Sequence, residues 1–409
     1  MPIPAPGSDY PSFKGLFHAG HRPIENLNTF IHAEDEMFLY ALAVHGHNPD
    51  YAAKVYFLQG FAMLNLVRQI AKWGFGDIDS IPSFLDFACG YGRFARFLSA
   101  SLPPDRIWAS DLYAEGVAFL SDQLGVNGIV STADPDDYPC KRHFDFIYVA
   151  SLFTHLPEKT FARWLARLYR LLTPQGVLVF SVNDESIALA GQSMPPEGFL
   201  FLPQSESRSH DTQQYGSTWV TEPFIRRTIE HVCGGDHPCL RLPKGLLHFQ
   251  DLYILPAAPD ACFTGLNVDT GVLGHIDQCL LSTPGQLKFA GWAATSAPGK
   301  KAQRVQAWIN GTLVGQCATG LPRPDVADHY KRPDMQETGW ECTIPWNGDE
   351  DAWITFRIPG ETGVDHVLDV GTVSSFLKKP TPSRAPTAAS RISGKPPEPL
   401  PPASECGAG

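Results

Sequence analysis

Residues 83–94 read Ser-Phe-Leu-Asp-Phe-Ala-Cys-Gly-Tyr-Gly-Arg-Phe, and residues 106–111 read Arg-Ile-Trp-Ala-Ser-Asp. An apolar run that breaks into a glycine-rich turn and a helix, followed by an apolar run that ends in an acid, is typical of a mononucleotide-binding half-site. Gly90 and Gly92 can adopt positive φ and leave room for a ligand against the backbone. Asp111, at the end of the second strand, can accept hydrogen bonds from two ribose hydroxyls. The sequence therefore predicts a site for an adenosine-containing cofactor.

Two cofactor classes fit this pattern. Read from Gly90, the sequence satisfies the dinucleotide-binding motif with alanine in the last place, so a nicotinamide or flavin cofactor is one alternative. Asp86 favours the other alternative, because it lies at a strand end where a dinucleotide site has an apolar residue. A carboxylate at that position must meet a polar partner. A cofactor with a cationic amino-acid end would supply that partner.

Residues 86–92 resemble motif I of the class I methyltransferases that depend on S-adenosylmethionine (SAM), with Ala88 in place of the first glycine. Residues 144–157 resemble the fourth strand and exit loop of that family, and residues 171–180 resemble the entry to its fifth strand. The resemblance extends over residues 50–256. It implies an α/β, Rossmann-like fold with a seven-stranded, mostly parallel sheet and an antiparallel edge strand. It also implies SAM as the cofactor and methyl transfer as the reaction.

The resemblance assigns roles to individual residues. Asp86 would lie near the ammonium group of SAM, Asp111 would hold its ribose, and Leu112 would pack on its adenine. The other implied cofactor contacts are Ala88, Cys89, Gly90, Gly92, Ala133, Asp134, Ala150, Ser151 and Phe153. Arg93 is outside the general pattern, and it either pairs with the cofactor carboxylate or faces solvent.

The chemistry of methyl transfer leaves the need for a base open. The reaction is an in-line displacement at a sulfonium, so positioning and desolvation supply most of the acceleration. For a hydroxyl acceptor, His155 is the candidate base; the alternative is that it caps the next helix or packs beneath the cofactor. A long insertion over residues 197–218 lies where this fold usually builds its acceptor pocket. Glu206, Asp211 and Tyr215 in it either orient the acceptor or are solvated surface groups.

Composition excludes several kinds of partner. The chain has 409 residues, which predicts two domains plus tails, and its net charge of −11 without a basic run argues against nucleic acid. We expect no membrane span and a cytoplasmic protein, because no long apolar run and no signal-peptide pattern occur. Nine scattered cysteines suit reduced thiols. The His231–Cys239 cluster lacks paired metal-ligand spacing, so we expect no metal.

The chain divides into five predicted regions. These are a disordered segment at residues 1–24, a helical cap at 25–80, a methyltransferase domain at 81–258, a β-sandwich at 262–376, and a disordered, proline-rich tail at 377–409. In the cap, Asn48-Pro49 opens the second of two helices.

The second domain has the pattern of an all-β fold. Short strands alternate with turns after residue 262, and Asn310-Gly311 predicts a two-residue hairpin turn. Residues 291–293, 323–326 and 339–340 resemble an accessory β domain of bacterial surface-glycan glycosyltransferases and methyltransferases. Arg323 and Asp325 either brace two turns or contact a sugar.

Three hypotheses of function follow from the sequence. The first is a SAM-dependent O-methyltransferase that acts on a sugar, a glycan-linked molecule or another small molecule. The second is an NAD(P)-dependent oxidoreductase. The third is a non-catalytic interaction scaffold with a glycan-binding β domain.

Overall fold

A seven-stranded sheet forms the centre of the first domain in the computed structural model, which describes residues 7–19, 22–188, 191–204 and 212–377. Its strands are β1 Phe84–Phe87, β2 Ile107–Asp111, β3 Asn127–Val130, β4 Phe144–Val149, β5 Leu172–Val182, β6 Leu240–Leu246 and β7 Gln250–Pro256. They lie in the order β6-β7-β5-β4-β1-β2-β3. Strands β1 to β5 are parallel, and β7 runs antiparallel between β5 and β6. The predicted mostly parallel sheet with a reversed strand near its edge is confirmed.

Four helices connect the strands, as the alternating pattern requires. They are α3 Ala95–Ser99, α4 Ala114–Leu124, α5 Glu158–Tyr169 and α6 Glu222–Cys233. Helix α4 ends at Gly125, whose φ of +69° is the left-handed conformation that stops a helix. Helix α5 buries Phe161, Trp164, Leu165 and Leu168, which recur at helical spacing.

Two helix boundaries differ from the sequence prediction. The glycine-rich turn predicts a helix near residues 92–101, and the structure limits this helix to α3, because residues 88–94 form the turn that follows β1. The apolar spacing over residues 161–172 predicts a helix that ends at Thr173-Pro174, whereas α5 ends at Tyr169 and Pro174 lies inside β5. Pro174 sits where the β4–β5 pairing shifts register, so its missing N–H breaks no regular ladder bond.

The predicted helical cap consists of two helices, α1 Glu36–Val44 and α2 Pro49–Phe75. The Asp35 carboxylate caps α1 by accepting hydrogen bonds from the N–H groups of Met37 and Phe38. Asn48 caps α2 in the same way and Pro49 is its first residue, as expected. None of the helices in the described part of the chain combines the length and hydropathy needed to cross a membrane.

The segment before the cap is ordered where the structure describes it, so the prediction of disorder at residues 1–24 is wrong for residues 7–19. Tyr10, Phe13, Leu16 and Phe17 are buried in the main hydrophobic core. Their apolar area outweighs the flexibility that proline and glycine suggested. The Leu16 carbonyl accepts a hydrogen bond of 2.9 Å from the buried Arg357 of the second domain.

The second domain is a sandwich of two antiparallel sheets. Its strands are β8 Val272–Thr283, β9 Gln286–Thr295, β10 Arg304–Ile309, β11 Thr312–Ala318, β12 Gly339–Pro345, β13 Trp353–Pro359 and β14 Asp365–Thr372. The sheet orders are β8-β9-β12 and β11-β10-β13-β14. Phe289 of the first sheet packs on Phe356 of the second, with 4.9 Å between ring centroids. Two short helices, α7 Pro324–Tyr330 and α8 Val373–Leu377, accompany the sheets. The predicted tail lies outside the described residues from residue 378 onward.

Two sequence features of the sandwich have clear structural roles. Asn310 and Gly311 both have positive φ, 46° and 79°, in the tight turn between β10 and β11. Arg323 bonds Asp325 through two nitrogens, at 2.8 and 2.7 Å, and Asp277 through the third at 2.5 Å. These bonds brace the start of α7 against β8.

Candidate active site

A cavity of about 430 Å³ opens at the carboxyl ends of β1, β2 and β4, where a doubly wound sheet places its ligands. The helical cap covers one side of it. Of the residues that the sequence singled out, the cavity is lined by Asp86, Ala88, Cys89, Gly90, Arg93, Asp111, Leu112, Ala133, Asp134, Ala150, Ser151, His155 and Tyr215. Residues distant in sequence therefore meet around one space of the size that small-molecule sites have.

The turn after β1, residues 88–94, is called the glycine loop below. Ala88 takes the place of a glycine and has φ of +60°, a conformation that costs an alanine energy. Gly90 has φ of +54°, and a Cβ added to it would have no atom within 4 Å, so its outer side is open for a ligand.

Gly92 has a different role from the one expected. Its φ is +83°, and a Cβ there would lie 2.2 Å from Cδ2 of Leu120 on α4. Gly92 does not line the cavity. The residue lets the glycine loop pack against α4, so the expected contact between Gly92 and the cofactor is corrected to a packing role.

Asp111 joins the glycine loop to the end of β2. One oxygen of its carboxylate accepts the Gly90 N–H at 2.8 Å, and the other accepts the Tyr113 N–H at 3.1 Å. The side chain is buried and also lines the cavity. Asp111 therefore fixes the loop and presents negative charge to a ligand at the same time.

Asp86 carries an unsatisfied polar group in the cavity wall. The residue is 3% exposed, and its Oδ2 has no hydrogen-bond partner among the described residues. Burial, together with the nearby Asp111 carboxylate, raises the pKa of Asp86 well above its usual value. A buried carboxylate oxygen without a donor is unfavourable, and a cationic donor from a ligand would satisfy it.

Arg93 faces the cavity from the glycine loop and not the solvent. Its Nη1 donates to the Gln59 side-chain oxygen of α2 at 2.5 Å, and in the described part of the chain it forms no ion pair. Burial lowers the pKa of the guanidinium. A positive group and the buried carboxyl of Asp86 thus line the same cavity.

Leu112, 44% exposed, follows Asp111 and lines the cavity, and residues 131–134 form another part of its edge. The Asp134 carboxylate is bonded by Arg163 of α5 and accepts the Asp136 N–H at 2.9 Å. These bonds hold the edge in place.

His155 also lines the cavity. Its Nδ1 lies 2.8 Å from the Gly216 carbonyl oxygen, which can only accept, so Nδ1 carries the proton. With a single proton on the ring, the lone pair is therefore on Nε2. The Tyr215 ring stacks on the imidazole, with 4.4 Å between centroids and 13° between planes.

Three further expected residues are placed elsewhere or are not described. Phe153 is fully buried between Phe161 and Phe180, 4.7 and 5.3 Å away, so its expected contact with the cofactor is corrected to core packing. The loop after β4 turns it inward while Ser151, at φ of +62°, stays at the cavity. Glu206 and Asp211 lie outside the described residues.

The sequence did not single out several residues that line the cavity. They are Asp35, Glu36, Met37, Met63, Leu156, Thr160, Arg163, Trp164 and Gln214. Met63 and Gln59 are four residues apart on α2, so a helical-face analysis anchored on one would have found the other. Residues 35–37 lie beside the glycine loop only because of tertiary packing. No local sequence pattern indicates this position.

Comparison with known proteins agrees with this geometry. Residues 84–176 match a family model described as a methyltransferase domain. No curated protein is significantly similar to the chain. The domain match and the sheet order agree that the first domain has the Rossmann-like fold of a methyltransferase domain.

Solved methyltransferase structures resemble part of the chain. A DhpI–SAH complex, where SAH is S-adenosylhomocysteine, has 18% identity, covers 55% of this chain and 97% of its own, and gives a TM-score of 0.36. The plantazolicin methyltransferase BamL, with a triazolic desmethylPZN analog and SAH, has 15% identity, coverages of 55% and 97%, and a TM-score of 0.35. A SAM-dependent methyltransferase from Clostridium acetobutylicum has 15% identity, coverages of 43% and 84%, and a TM-score of 0.31. The fold assignment rests on the sheet order and not on these scores.

Proposed function

We propose that the chain is a SAM-dependent methyltransferase that methylates a hydroxyl oxygen of a sugar, a glycan-linked molecule or another small molecule. The observation that carries the proposal is the buried Asp86 oxygen without a donor, with Arg93 facing the same cavity. An amino-acid group, with one ammonium and one carboxylate, matches this pair of charges. The nicotinamide cofactors of the alternative hypothesis carry no such group.

The remaining cavity residues suit the other parts of SAM. Asp111 would accept hydrogen bonds from the two ribose hydroxyls, and Leu112 with residues 131–134 would contact the adenine, since all of them line the cavity. Gly90 leaves the loop backbone open to close approach. When bound, SAM supplies an electrophilic methyl group on a sulfonium.

His155 is the residue that we assign to the acceptor. With the lone pair on Nε2, it is in the tautomer that takes a proton from an attacking hydroxyl. The Gly216 carbonyl and the Tyr215 ring hold the imidazole in this orientation. The stacked rings also offer an apolar face beside polar groups, which suits a sugar ring. The likeness of the sandwich motifs to accessory domains of surface-glycan enzymes supports the same acceptor class.

Calorimetry with SAH and with NADH tests the cofactor. We expect SAH to bind, and we expect Asp111→Ala to abolish the binding because the variant loses both the ribose acceptor and the brace of the glycine loop. Binding of NADH alone would overturn the proposal in favour of an oxidoreductase. Binding of neither ligand would favour the scaffold.

SAH release from SAM in the presence of sugar nucleotides and free hexoses tests the acceptor. The product's mass must increase by one methylene, and its methyl group must be on oxygen. Transfer to nitrogen or carbon would refute the assignment to a hydroxyl acceptor. His155→Asn provides the control, since its amide can still donate to Gly216 but offers no ring nitrogen as a base.

A further inference from the structure

Helix α2 has two faces that contact different parts of the molecule. Tyr56, Gln59 and Met63 are directed to the cavity and its supporting network. Lys54 and Gln69 are directed to the sandwich and to the segment that leads into it. At about 100° per residue, the two stripes lie about 140° apart around the helix. Helix α2 is therefore wedged between the cavity and the second domain.

Buried amide side chains dominate the contact with the second domain. The Gln69 amide donates to the Asp269 carbonyl at 3.0 Å and accepts the Asp269 N–H at 2.7 Å. The Asn65 amide donates to the Asp365 carbonyl at 2.9 Å. Gln69 and Asn65 are 4% and 1% exposed. Because buried hydrogen bonds are directional and costly to break, they fix both the rotation of α2 and its position along its axis.

An ion pair adds to this contact near the start of the helix. Lys54 Nζ lies 2.9 Å from an Asp369 oxygen, and the two side chains are 16% and 13% exposed. Partial burial reduces the screening that makes most surface pairs weak. The pair and the amide bonds lie 15 residues apart, from Lys54 to Gln69, so they hold α2 along most of its length.

The opposite face of α2 is in close contact with the glycine loop. A Cβ added to Gly60 would lie 2.3 Å from the Arg93 carbonyl oxygen, so the helix backbone rests on the turn that carries Arg93. Gln59, the preceding residue, accepts the hydrogen bond from the Arg93 guanidinium. Any shift of α2 therefore displaces Arg93.

We infer that the β-sandwich is a buttress that, through α2, holds Arg93 and the glycine loop in position for the cofactor. Lys54, Asn65 and Gln69 are positioning residues in this scheme, since they touch the second domain and not the ligand. The inference rests on the proposed function and assigns the sandwich a part in the same site. By thermodynamic linkage, cofactor binding strengthens the docking of the sandwich as much as the docking strengthens binding.

The full-length variants Gln69→Leu and Lys54→Met test the inference by calorimetry with SAH. We expect the dissociation constant to rise about 5- to 20-fold, the usual size of coupling between sites. Val305→Ala is the matched control, because Val305 is 1% exposed in the core between the two sandwich sheets. It lowers the melting temperature without changing the affinity. Wild-type affinity in both α2 variants would overturn the inference.

A second measurement distinguishes a failure of this inference from a failure of the proposed function. If the unaltered chain binds no SAH, the proposed function has failed and the positioning role is judged by hydrogen exchange at residues 88–94. Exchange there must be faster in Gln69→Leu than in the wild type and unchanged in Val305→Ala. Equal rates in all three proteins would refute the buttress.

Discussion

Asp86 and Tyr148 occupy paired positions on the adjacent parallel strands β1 and β4, and each has a buried oxygen with no hydrogen-bond partner among the described residues. Paired positions place the two side chains on the same face of the sheet. Burial raises the pKa of both groups. Two unsatisfied oxygens at the centre of a sheet reduce stability, and such local conflicts are expected where a function requires them.

Asp86→Asn tests whether the unsatisfied oxygen of Asp86, and not that of Tyr148, binds the cofactor. The amide keeps the shape but loses the charge that attracts an ammonium, so we expect SAH to bind about 10- to 100-fold more weakly. Tyr148→Phe is the matched control, since Tyr148 does not line the cavity. We expect it to bind SAH as the wild type does and to melt at a slightly higher temperature. Equal affinities for both variants would contradict the role of Asp86.

The same residue predicts how the stability of the ligand-free protein depends on pH. Because the folded-state pKa of Asp86 is raised above 3.8, the folded state holds its proton more tightly than the unfolded state. The stabilisation is complete below the unfolded pKa and is lost as pH rises through the folded one. Asp86→Asn has no ionisable group at this position and does not lose stability in this way. The difference in unfolding free energy between the variant and the wild type must therefore grow in favour of the variant as pH rises. Urea denaturation of both proteins across that range measures it, and a constant difference would be evidence against the shift.

Arg93→Met tests the positive side of the cavity. Without the guanidinium, the cofactor carboxylate loses a charge-assisted hydrogen bond, and we expect SAH affinity to fall about 10-fold or more. Arg170→Met, on the exposed end of α5, serves as a control for the loss of a surface arginine. If both variants bind SAH equally well, Arg93 serves only to pack α2 on the loop.

His155→Asn tests the base. We expect kcat to fall about 10²- to 10⁴-fold with little change in SAH affinity, because general-base assistance acts on the chemical step. A variant with nearly wild-type kcat would show that desolvation and positioning suffice.

Two buried histidines predict acid sensitivity of the contact between the domains. Burial lowers the pKa of His248, beside His366, to about 4, and burial together with Arg357 lowers that of His18 to about 4. A folded pKa below the unfolded value of 6.5 means that stability is lost as pH falls from 6.5 towards 4. We expect the unfolding free energy to drop over that window and to drop less in His248→Gln and His18→Gln. A flat pH profile in the wild type would contradict this.

Ala88→Gly tests how much stability the protein loses by having alanine in place of the first glycine of motif I. Alanine at φ of +60° is in the left-handed region, which glycine occupies freely. We expect the variant to gain up to about 1 kcal/mol of stability, since the relief of strain exceeds the added freedom of the unfolded chain. Thermal melting measures it, with Gly90→Ala as the reverse substitution that must destabilise.

Local sequence patterns predicted those site residues that lie at the carboxyl end of a strand. Asp86, Gly90 and Asp111 each follow a short apolar run, and parallel strands bring their carboxyl ends together by topology. Gly125 and Asn310-Gly311 marked their turns because backbone conformation is a local property.

Long-range packing explains what the sequence did not reveal. Phe153 follows the cavity-lining Ser151 by only two residues, yet the turn directs it into the core. Tyr10 and Phe17 lie in a segment rich in proline and glycine, and only the assembled core gives them a surface to cover. The contact of Gln59 with Arg93 joins two elements 34 residues apart, which no periodicity indicates.

The bond between Leu16 and Arg357 bears on how the chain is made. Its two partners are 341 residues apart, so the segment that carries Leu16 leaves the ribosome long before the surface that covers it. At about 5–20 residues per second, this interval is on the order of 20–70 s. During that time Tyr10, Phe13 and Phe17 lack part of the core that buries them. The aromatic segment therefore completes its burial only after Arg357 and the strand that carries it have been synthesised.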